Sequence, residues 1–186
     1  MIPMRSSKIL VLTKTSLCVA LLCVSAFIVI PIPFTPIMIT AQTLVVTLIA
    51  LLLKPSQSAA AVGVYLLLGI CGIPVFSGGT AGIGQLLGPT GGFLWGFLAA
   101  APLISWLKGK NNRFLRYLWV SVLVGIPVID LFGTVFFCFT QHVDPWAALM
   151  ATVVPFLVGD ICKCIAASLL AVPLNHALRR QEAALC

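Results

Sequence analysis

The sequence predicts an all-α integral membrane protein with six transmembrane helices, and three observations support that prediction. Of the 186 residues, 61% are hydrophobic and only 8% are charged, whereas soluble domains carry about 25% charged residues. The apolar residues gather in long runs, separated by breaks rich in proline, glycine or charge. The basic residues fall in alternate breaks, which is the pattern of membrane topology. We therefore expect residues 1–186 to form a single membrane domain.

The apolar runs place the predicted spans roughly at residues 9–30, 37–53, 58–73, 90–107, 114–139 and 146–178. The first run follows a basic start and resembles a secretory signal, but it continues to Ile30 and so indicates an uncleaved span. It stops at PIPFTP, where prolines remove backbone donors and prevent helix continuation. The last run is long for one span, and Pro155 and Pro173 should bend or end it.

The distribution of positive charge predicts the orientation. Ten of the eleven Lys and Arg residues fall at the chain ends or in the second and fourth breaks. The positive-inside rule places these segments, and both termini, in the cytoplasm. The other three breaks contain no Lys or Arg and are rich in Pro, Gly, Thr and Phe. We expect them to face outside as structured caps over a ligand pocket, because irregular backbone at that depth must be buried in protein or line a cavity.

Several functional classes lack their sequence signals. The net charge of +7 is dispersed along the chain, so it does not indicate nucleic-acid binding. The seven cysteines are scattered in apolar runs without C-x-x-C spacing, which favours packing over metal binding or a disulfide framework. Neither a phosphate loop nor an H-E-x-x-H motif occurs. We expect no catalytic residues, no metal and no resident cofactor.

Asp160 and Lys163 are the most informative residues, because they interrupt the apolar run PFLVGDICKCIAASLLAVPL. Each charge in the middle of a membrane helix costs about 2.5–3.5 kcal/mol on insertion scales. A spacing of three places both on one helical face. They could form a buried ion pair that fixes helix register, or hold a ligand. With Thr152 and Phe156 they form a stripe that suits a pocket for an amphipathic small molecule.

Other polar or small residues are weaker candidates. Gln42 in the second span could line the pocket or form an interhelical hydrogen bond, and Tyr65 is expected to form such a bond. Asp130 is a third intramembrane charge, and it could share Lys163 as a partner or face the outer water layer.

The glycines of the third break and the fourth span suggest two further roles. Gly78, Gly79, Gly91 and Gly92 precede or open the span, where free amides attract an anion, and Thr80 and Thr90 add hydroxyls beside them. Gly84, Gly88, Gly92, Gly96 and Ala100 recur at intervals of four residues. This spacing indicates close approach of a neighbouring helix, especially at Gly96 and Ala100.

Three segments resemble the BioY proteins, which are biotin-specific substrate-binding (S) components of energy-coupling factor transporters. They are PIPFTPIMITAQTL, GIPVFSGGTAGIGQLLGPTGGFLWGF and PFLVGDICK, and the resemblance runs from about Pro31 to Ala171. It implies a six-helix bundle in a bacterial cytoplasmic membrane, with an outward-facing biotin site that includes Asp160 and Lys163. The chain departs from the family pattern at two positions. The family usually has Tyr where this chain has Phe93, and it often has Tyr near the position of Asp130.

The resemblance also implies partners and roles. A transmembrane coupling subunit and two ATPase subunits would supply the energy, so ATP would be used by the partners only. Ser16 and Ala20 are the nearest match to the family's partner-docking stripe on the first helix.

Biotin has a ureido ring, an apolar sulfur ring and a carboxylate. Asp160 could accept from the ureido N–H groups while Lys163 neutralises the carboxylate, or the roles could be divided otherwise. Phe76, Phe93 and Phe156 could cover the apolar ring. The alternatives are an S component for another small vitamin, an intramembrane enzyme, and a structural subunit without a ligand.

Overall fold

The computed structural model describes residues 3–31, 37–109 and 111–184, with side chains between residues 9 and 181 of those ranges. The described chain is mostly helical, as predicted, and adds one short hairpin. The helices are α1 (Pro3–Ser25), α2 (Gln42–Leu52), α3 (Pro55–Ile70), α4 (Ile83–Leu87), α5 (Gly91–Leu107), α6 (Phe114–Val120), α7 (Ile126–Gln141), α8 (Pro145–Thr152) and α9 (Leu157–Ala184). A 3₁₀ turn covers Ser77–Gly79. Part of the predicted break PIPFTP, residues 32–36, lies outside the described residues, as do Lys110 and Cys186.

Two helical stretches in the described chain are both long and apolar enough to cross a membrane. They are Phe114–Gln141, with a mean hydropathy of 2.2, and Leu157–Gln181, with 1.8. Four shorter apolar stretches accompany them: Ile9–Ser25, Gln42–Leu52, Pro55–Ile70 and Gly91–Leu107. Each of the six overlaps a predicted span.

The first predicted span extends too far. Helix α1 ends at Ser25, and the next residues form the strand β1 (Val29–Ile30), which pairs antiparallel with β2 (Ile39–Thr40). Proline after Ile30 disfavours helical backbone at that position. An apolar run gives no signal of where a helix yields to a short strand, since both bury the same residues. Pairing with β2, which lies beyond the break, decides the outcome.

The stretch Phe114–Gln141 contains a π-helical turn at Ser121–Gly125, where the amide of Ile126 donates to the carbonyl of Ser121. Pro127 has no N–H group for the normal bond to the residue four positions earlier. The wider turn therefore occurs where the regular hydrogen-bond ladder is interrupted.

Proline also divides the last predicted span. Pro155 lies between α8 and α9, so residues 146–178 are two helices rather than one. Asp144 caps α8, because its Oδ2 atom accepts from the amide of Trp146 at 3.1 Å. Pro173, in contrast, stays inside α9. The prediction that these prolines bend or end the run is confirmed at Pro155.

Close packing of α5 against α7 explains two of the spaced glycines. A Cβ atom on Gly92 would lie 2.3 Å from the carbonyl oxygen of Phe132, and one on Gly96 would lie 3.0 Å from the Cα atom of Ile129. Only a residue without a side chain fits at such distances. Ala100 is fully buried on the same helix. The packing role predicted for Gly96 and Ala100 is confirmed.

The loops divide between two ends of the bundle. The hairpin and the Gly-rich segment meet at one end, where the amide of Gly78 donates to the carbonyl of Ala26 at 3.0 Å. At the other end the Nζ atom of Lys108 donates to the carbonyls of Ala50, Leu51 and Leu53, at 2.9, 2.9 and 2.5 Å. This second end carries the basic breaks around Lys54 and Lys108.

Among the six described cysteines, all are free thiols. Cys18 and Cys164 are buried, in agreement with a packing role. Cys71 and Cys162 are exposed on the surface of the chain, so they are not core residues.

Candidate functional site

A cavity opens at the end of the bundle that holds the hairpin and the Gly-rich segment. The space inside it that a water-sized molecule can occupy is about 70 Å³. Its walls come from β2 and the residues before it, from α2, α4, α5, α7, α8 and α9, and from the loops around Phe76 and Phe156. The lining residues are Ile37, Met38, Ile39, Thr40, Gln42, Thr43, Phe76, Ser77, Gln85, Thr90, Phe93, Leu94, Phe97, Ile129, Asp130, Thr152, Phe156, Asp160 and Lys163.

Asp160 and Lys163 form an ion pair in this cavity. The Lys163 Nζ atom donates to Asp160 Oδ1 at 3.0 Å, and the two side chains are 16% and 11% exposed, respectively. The sequence places the pair in the middle of a span, but α9 begins at Leu157, so Asp160 lies in its first turn. A carboxylate is favoured there by the positive end of the helix dipole. The break at Pro155 thus supplies part of what stabilises the charge.

Helix α2 supplies the next contacts. The Thr43 hydroxyl donates to Asp160 Oδ1 at 3.2 Å, so one carboxylate oxygen receives two donors. The neighbouring Gln42 is buried, lines the cavity and donates from Nε2 to the hydroxyl of Tyr65. The interhelical hydrogen bond predicted for Tyr65 is therefore confirmed, and it fixes the orientation of a cavity-lining amide.

The aromatic candidates form apolar walls. Phe76 is 1% exposed, and its ring meets Tyr65 edge-on with ring centroids 5.7 Å apart. Phe156 is also buried, and Phe93 is half-buried with its ring against Gly133. All three rings line the cavity, together with Thr90. Their role toward a ligand stays a prediction.

The Gly78–Thr80 segment lies outside the cavity lining. The amides of Gly78 and Gly79 donate to the carbonyls of Ala26 and Phe76, and the amide of Gly91 donates to Gly88. These three amides are thus not free for an anion, contrary to the prediction. Thr80 is exposed, and its hydroxyl donates to the carbonyl of Ser77. The two glycines adopt positive φ angles of 71° and 74°, which glycine tolerates best, and the turn they make positions Phe76 and Ser77 in the wall.

Asp130 lies in the cavity wall at 9% exposure, so it does not face outer water as one sequence alternative had it. It forms no ion pair or hydrogen bond with another described residue, which also removes the alternative that it shares Lys163. Asp130 also lines a smaller adjoining cavity, together with Thr43, Asp160, Lys163 and Cys164. We call Thr43, Asp130, Asp160 and Lys163 the polar floor, since these four residues line both cavities.

Sequence reasoning missed Thr43, Ser77 and Gln85 as lining residues. Thr43 had a usable signal, since it is a second polar residue directly after Gln42 at the start of an apolar run. Gln85 had none, because it lies in α4, a short helix that the Gly-rich stretch does not predict. Among the described residues, no group of three His, Cys, Asp or Glu side chains is arranged to hold a metal ion.

The predicted docking residues Ser16 and Ala20 are both exposed on α1. They lie four residues apart and so share one face of the helix. Their exposure leaves this face available, but their role stays a prediction.

Comparison with known proteins identifies the chain's family. The sequence model of the BioY family matches residues 3–180. This chain belongs to the BioY family.

Curated BioY relatives extend over nearly the whole chain. A Lactococcus lactis protein named "Biotin transporter BioY2" is 38% identical over 175 residues, covering 94% of this chain and 95% of the relative. A Thermotoga maritima protein named "Biotin transporter BioY" is 37% identical over 164 residues, covering 88% and 95%. These relatives are named as transporters, not as enzymes.

A solved structure shares the BioY fold. It is described as the S-component for biotin from an ECF-type ABC transporter. It superposes with a TM-score of 0.85 at 28% identity, covering 92% of this chain and 93% of the other. The resemblance found in the sequence motifs is therefore confirmed, and the helical bundle is that of a transporter S component.

Proposed function

We propose that this chain is a membrane subunit that binds biotin and mediates its uptake. The family membership and the names of its relatives support the ligand class. The observation that carries the proposal is the Asp160–Lys163 pair, which lies in the wall of a cavity rather than in a closed helix contact. An ion pair that served helix register alone would have no need of a cavity beside it.

The pair retains hydrogen-bonding capacity that matches biotin. Asp160 Oδ1 receives both Lys163 and Thr43, while Oδ2 has no partner among the described residues. That oxygen is able to accept from a ureido N–H group. Lys163 has three N–H donors and uses one on Asp160, so it is able to bind the ligand carboxylate as well. The opposite assignment, with Lys163 on the ureido oxygen, uses the same groups.

The apolar walls fit the remainder of the molecule. Phe76, Phe93 and Phe156 would enclose the sulfur ring, and Gln42 and Thr90 would offer polar contacts at its edge. Gly78, Gly79 and Thr80 would contribute indirectly, by shaping the turn that holds Phe76. No resident cofactor, metal or catalytic group enters this proposal.

We also propose six membrane crossings with both termini in the cytoplasm. The cavity lies at the end whose breaks carry no Lys or Arg, and the basic breaks gather at the end held by Lys108. The positive-inside rule then directs the cavity outward, across a bacterial cytoplasmic membrane. Cysteine labelling from each side of intact cells, with Lys54 and Ser77 replaced singly by cysteine in a background lacking the native thiols, would test this orientation.

An energising partner is supported by the match to the S-component of an ECF-type ABC transporter, and the absence of a phosphate loop in this sequence fits that division of labour. We propose a transmembrane coupling subunit with two ATPase subunits, and docking at Ser16 and Ala20 of α1. Replacing both with Leu should abolish co-purification with such partners while leaving biotin binding intact.

Thermal unfolding of the purified protein with and without biotin tests the central proposal. A ligand that binds the folded state alone stabilises it by RT ln(1 + [L]/Kd), so biotin should raise the unfolding temperature in a concentration-dependent way. Thiamine and riboflavin serve as matched controls. Extraction of the ligand that co-purifies, followed by mass spectrometry, separates biotin from another vitamin. Absence of any shift with biotin would favour a structural subunit and contradict the proposal.

A further inference from the structure

The polar floor contains more negative than positive charge. Asp160 and Lys163 neutralise each other at 3.0 Å, whereas Asp130 is left as a carboxyl group without a partner among the described residues. A buried carboxylate without a counterion or donor is costly, so it tends to acquire a proton or a partner. This charge imbalance is independent of how the ligand is oriented.

The elements around Asp130 offer no further cation. The described ionisable side chains that line the two cavities are Asp130, Asp160, Lys163 and Cys164. Helices α2, α5 and α8 contribute no Asp, Glu, Lys, Arg or His to the packing around α7. Lys163 is therefore the one positive charge that the described floor provides.

An anionic ligand makes the imbalance worse. If biotin binds as we propose, its carboxylate enters a floor that already holds two carboxyl groups and one ammonium group. The excess negative charge in the floor falls by one if one carboxyl group takes up a proton when the ligand binds. Asp160 is already supported by donors from Lys163 and Thr43 and by its place at the start of α9. Asp130 has none of these supports.

We propose that Asp130 is a ligand-site residue that takes up one proton from water when biotin binds, and that its O–H group then donates to an acceptor on the ligand. This inference rests on the proposed function. It assigns to Asp130 a role in ligand selection: the protonated group would favour a ligand with an acceptor or a negative charge at this position. Biotin affinity should consequently fall as pH rises.

Calorimetric titration of the purified protein with biotin tests the inference directly. Titrations in buffers of different ionisation enthalpy should show uptake of up to about one proton per biotin bound, rising from about pH 6.5 to about pH 8.5, and affinity should fall up to about tenfold per pH unit on the alkaline side. Biotin's own carboxyl group stays ionised throughout, since such groups titrate near pH 4. This measurement needs no variant, so it remains decisive even if a substitution at Asp130 impairs folding.

Two variants complete the test. Asp130→Asn keeps the size and a donor but does not titrate, so its biotin affinity should be independent of pH between about 6 and 8.5, without proton uptake. Asp144→Asn is the matched control, because Asp144 is an exposed cap that Asn replaces well, and it should behave as the unmodified chain.

The outcomes are distinguishable. If the unmodified chain bound biotin equally well at every pH, this result would overturn the inference while leaving the proposed function intact. Retention of the pH dependence in Asp130→Asn would overturn it as well, because a group other than Asp130 would then take up the proton. Failure of the unmodified chain to bind biotin at any pH would overturn the proposed function and this inference together.

Discussion

Lys163 and Lys108 are both half-buried, at opposite ends of this bundle, and their ammonium groups bond to different kinds of partner. Lys163 pairs with a carboxylate one turn earlier on its own helix and borders a cavity. Lys108 follows α5 and directs its three donors to the carbonyls of Ala50, Leu51 and Leu53, where α2 ends. Lys163 therefore has N–H donors left to bind another molecule, whereas all three donors of Lys108 bond to backbone carbonyls of the chain itself.

The surroundings of Lys108 reinforce this contrast. Asn175 and Ser105 also donate to carbonyls at the end of α2, those of Leu51 and Leu53. Burial and, to a smaller extent, the charge of Arg179 together lower the pKa of Lys108 to about 8. A buried charge that serves neighbouring carbonyls indicates helix capping, while one that faces a cavity indicates binding. Burial alone does not distinguish the two.

The largest expected effect is at the binding end. Asp160→Asn or Lys163→Ala should weaken biotin binding at least tenfold, because each change removes a charged ligand partner and strands the other charge. Titration of the purified variants would measure this. Lys54→Ala, at an exposed lysine, is the control and should bind as the unmodified chain. Equal biotin affinity in the variants, the control and the unmodified chain would contradict a binding role for Lys163 and Asp160.

The complementary change is Lys108→Met, which should leave biotin affinity within about twofold and lower stability instead. Leu51 and Leu53 retain donors from Asn175 and Ser105, so the loss is mainly that at Ala50, about 1 kcal/mol. For a chain of this size that corresponds to roughly 2–4 °C in unfolding temperature. Thermal unfolding would check it, with Lys54→Met as the exposed control. A large loss of affinity with unchanged stability would contradict the assignment.

Thr43→Val sharpens the account of the binding end. It removes a donor 3.2 Å from Asp160 Oδ1 but keeps the side-chain shape and the ion pair. The change removes one hydrogen bond from an uncharged hydroxyl and leaves both charges in place, so biotin affinity should fall by only about three- to tenfold. Titration would measure it against Thr13→Val, whose hydroxyl is exposed and bonds only within α1. An effect as large as that of Asp160→Asn would show that Thr43 itself holds the ligand.

The smallest expected effect is a pH dependence from Lys108. Its pKa of about 8 in the folded chain lies below the usual value of 10.5, so between these values the unfolded chain holds a proton that the folded chain has released. Stability from this group therefore rises with pH across that window. The unfolding temperature of the unmodified chain, relative to Lys108→Met, should increase between about pH 7.5 and pH 9.5. A decrease would show that folding raises the pKa of Lys108 rather than lowering it.

The motif-based part of the site was predictable, because charges in an apolar run are costly and so stand out. Asp160, Lys163, Gln42, Phe93 and Phe156 line one cavity, although they come from three separate stretches of the chain. The sequence predicted free amides at Gly78 and Gly79, but both donate to backbone carbonyls. A glycine-rich sequence does not indicate which carbonyls will accept from its amides. The amide of Gly78 is taken by Ala26, a residue far away in the chain.

The sequence by itself determined the membrane class, the family, the positions of the main helices and the charged pair. These follow from local patterns, because hydropathy, helical spacing and short motifs are properties of contiguous residues. Only the tertiary structure decided that α1 is followed by a hairpin, that Asp160 lies in the first turn of a helix, and that Asp130 joins the same floor without a partner among the described residues. Each of these depends on which distant segments come into contact. The free energy of such a contact belongs to both segments together, so the sequence of one segment alone does not predict it.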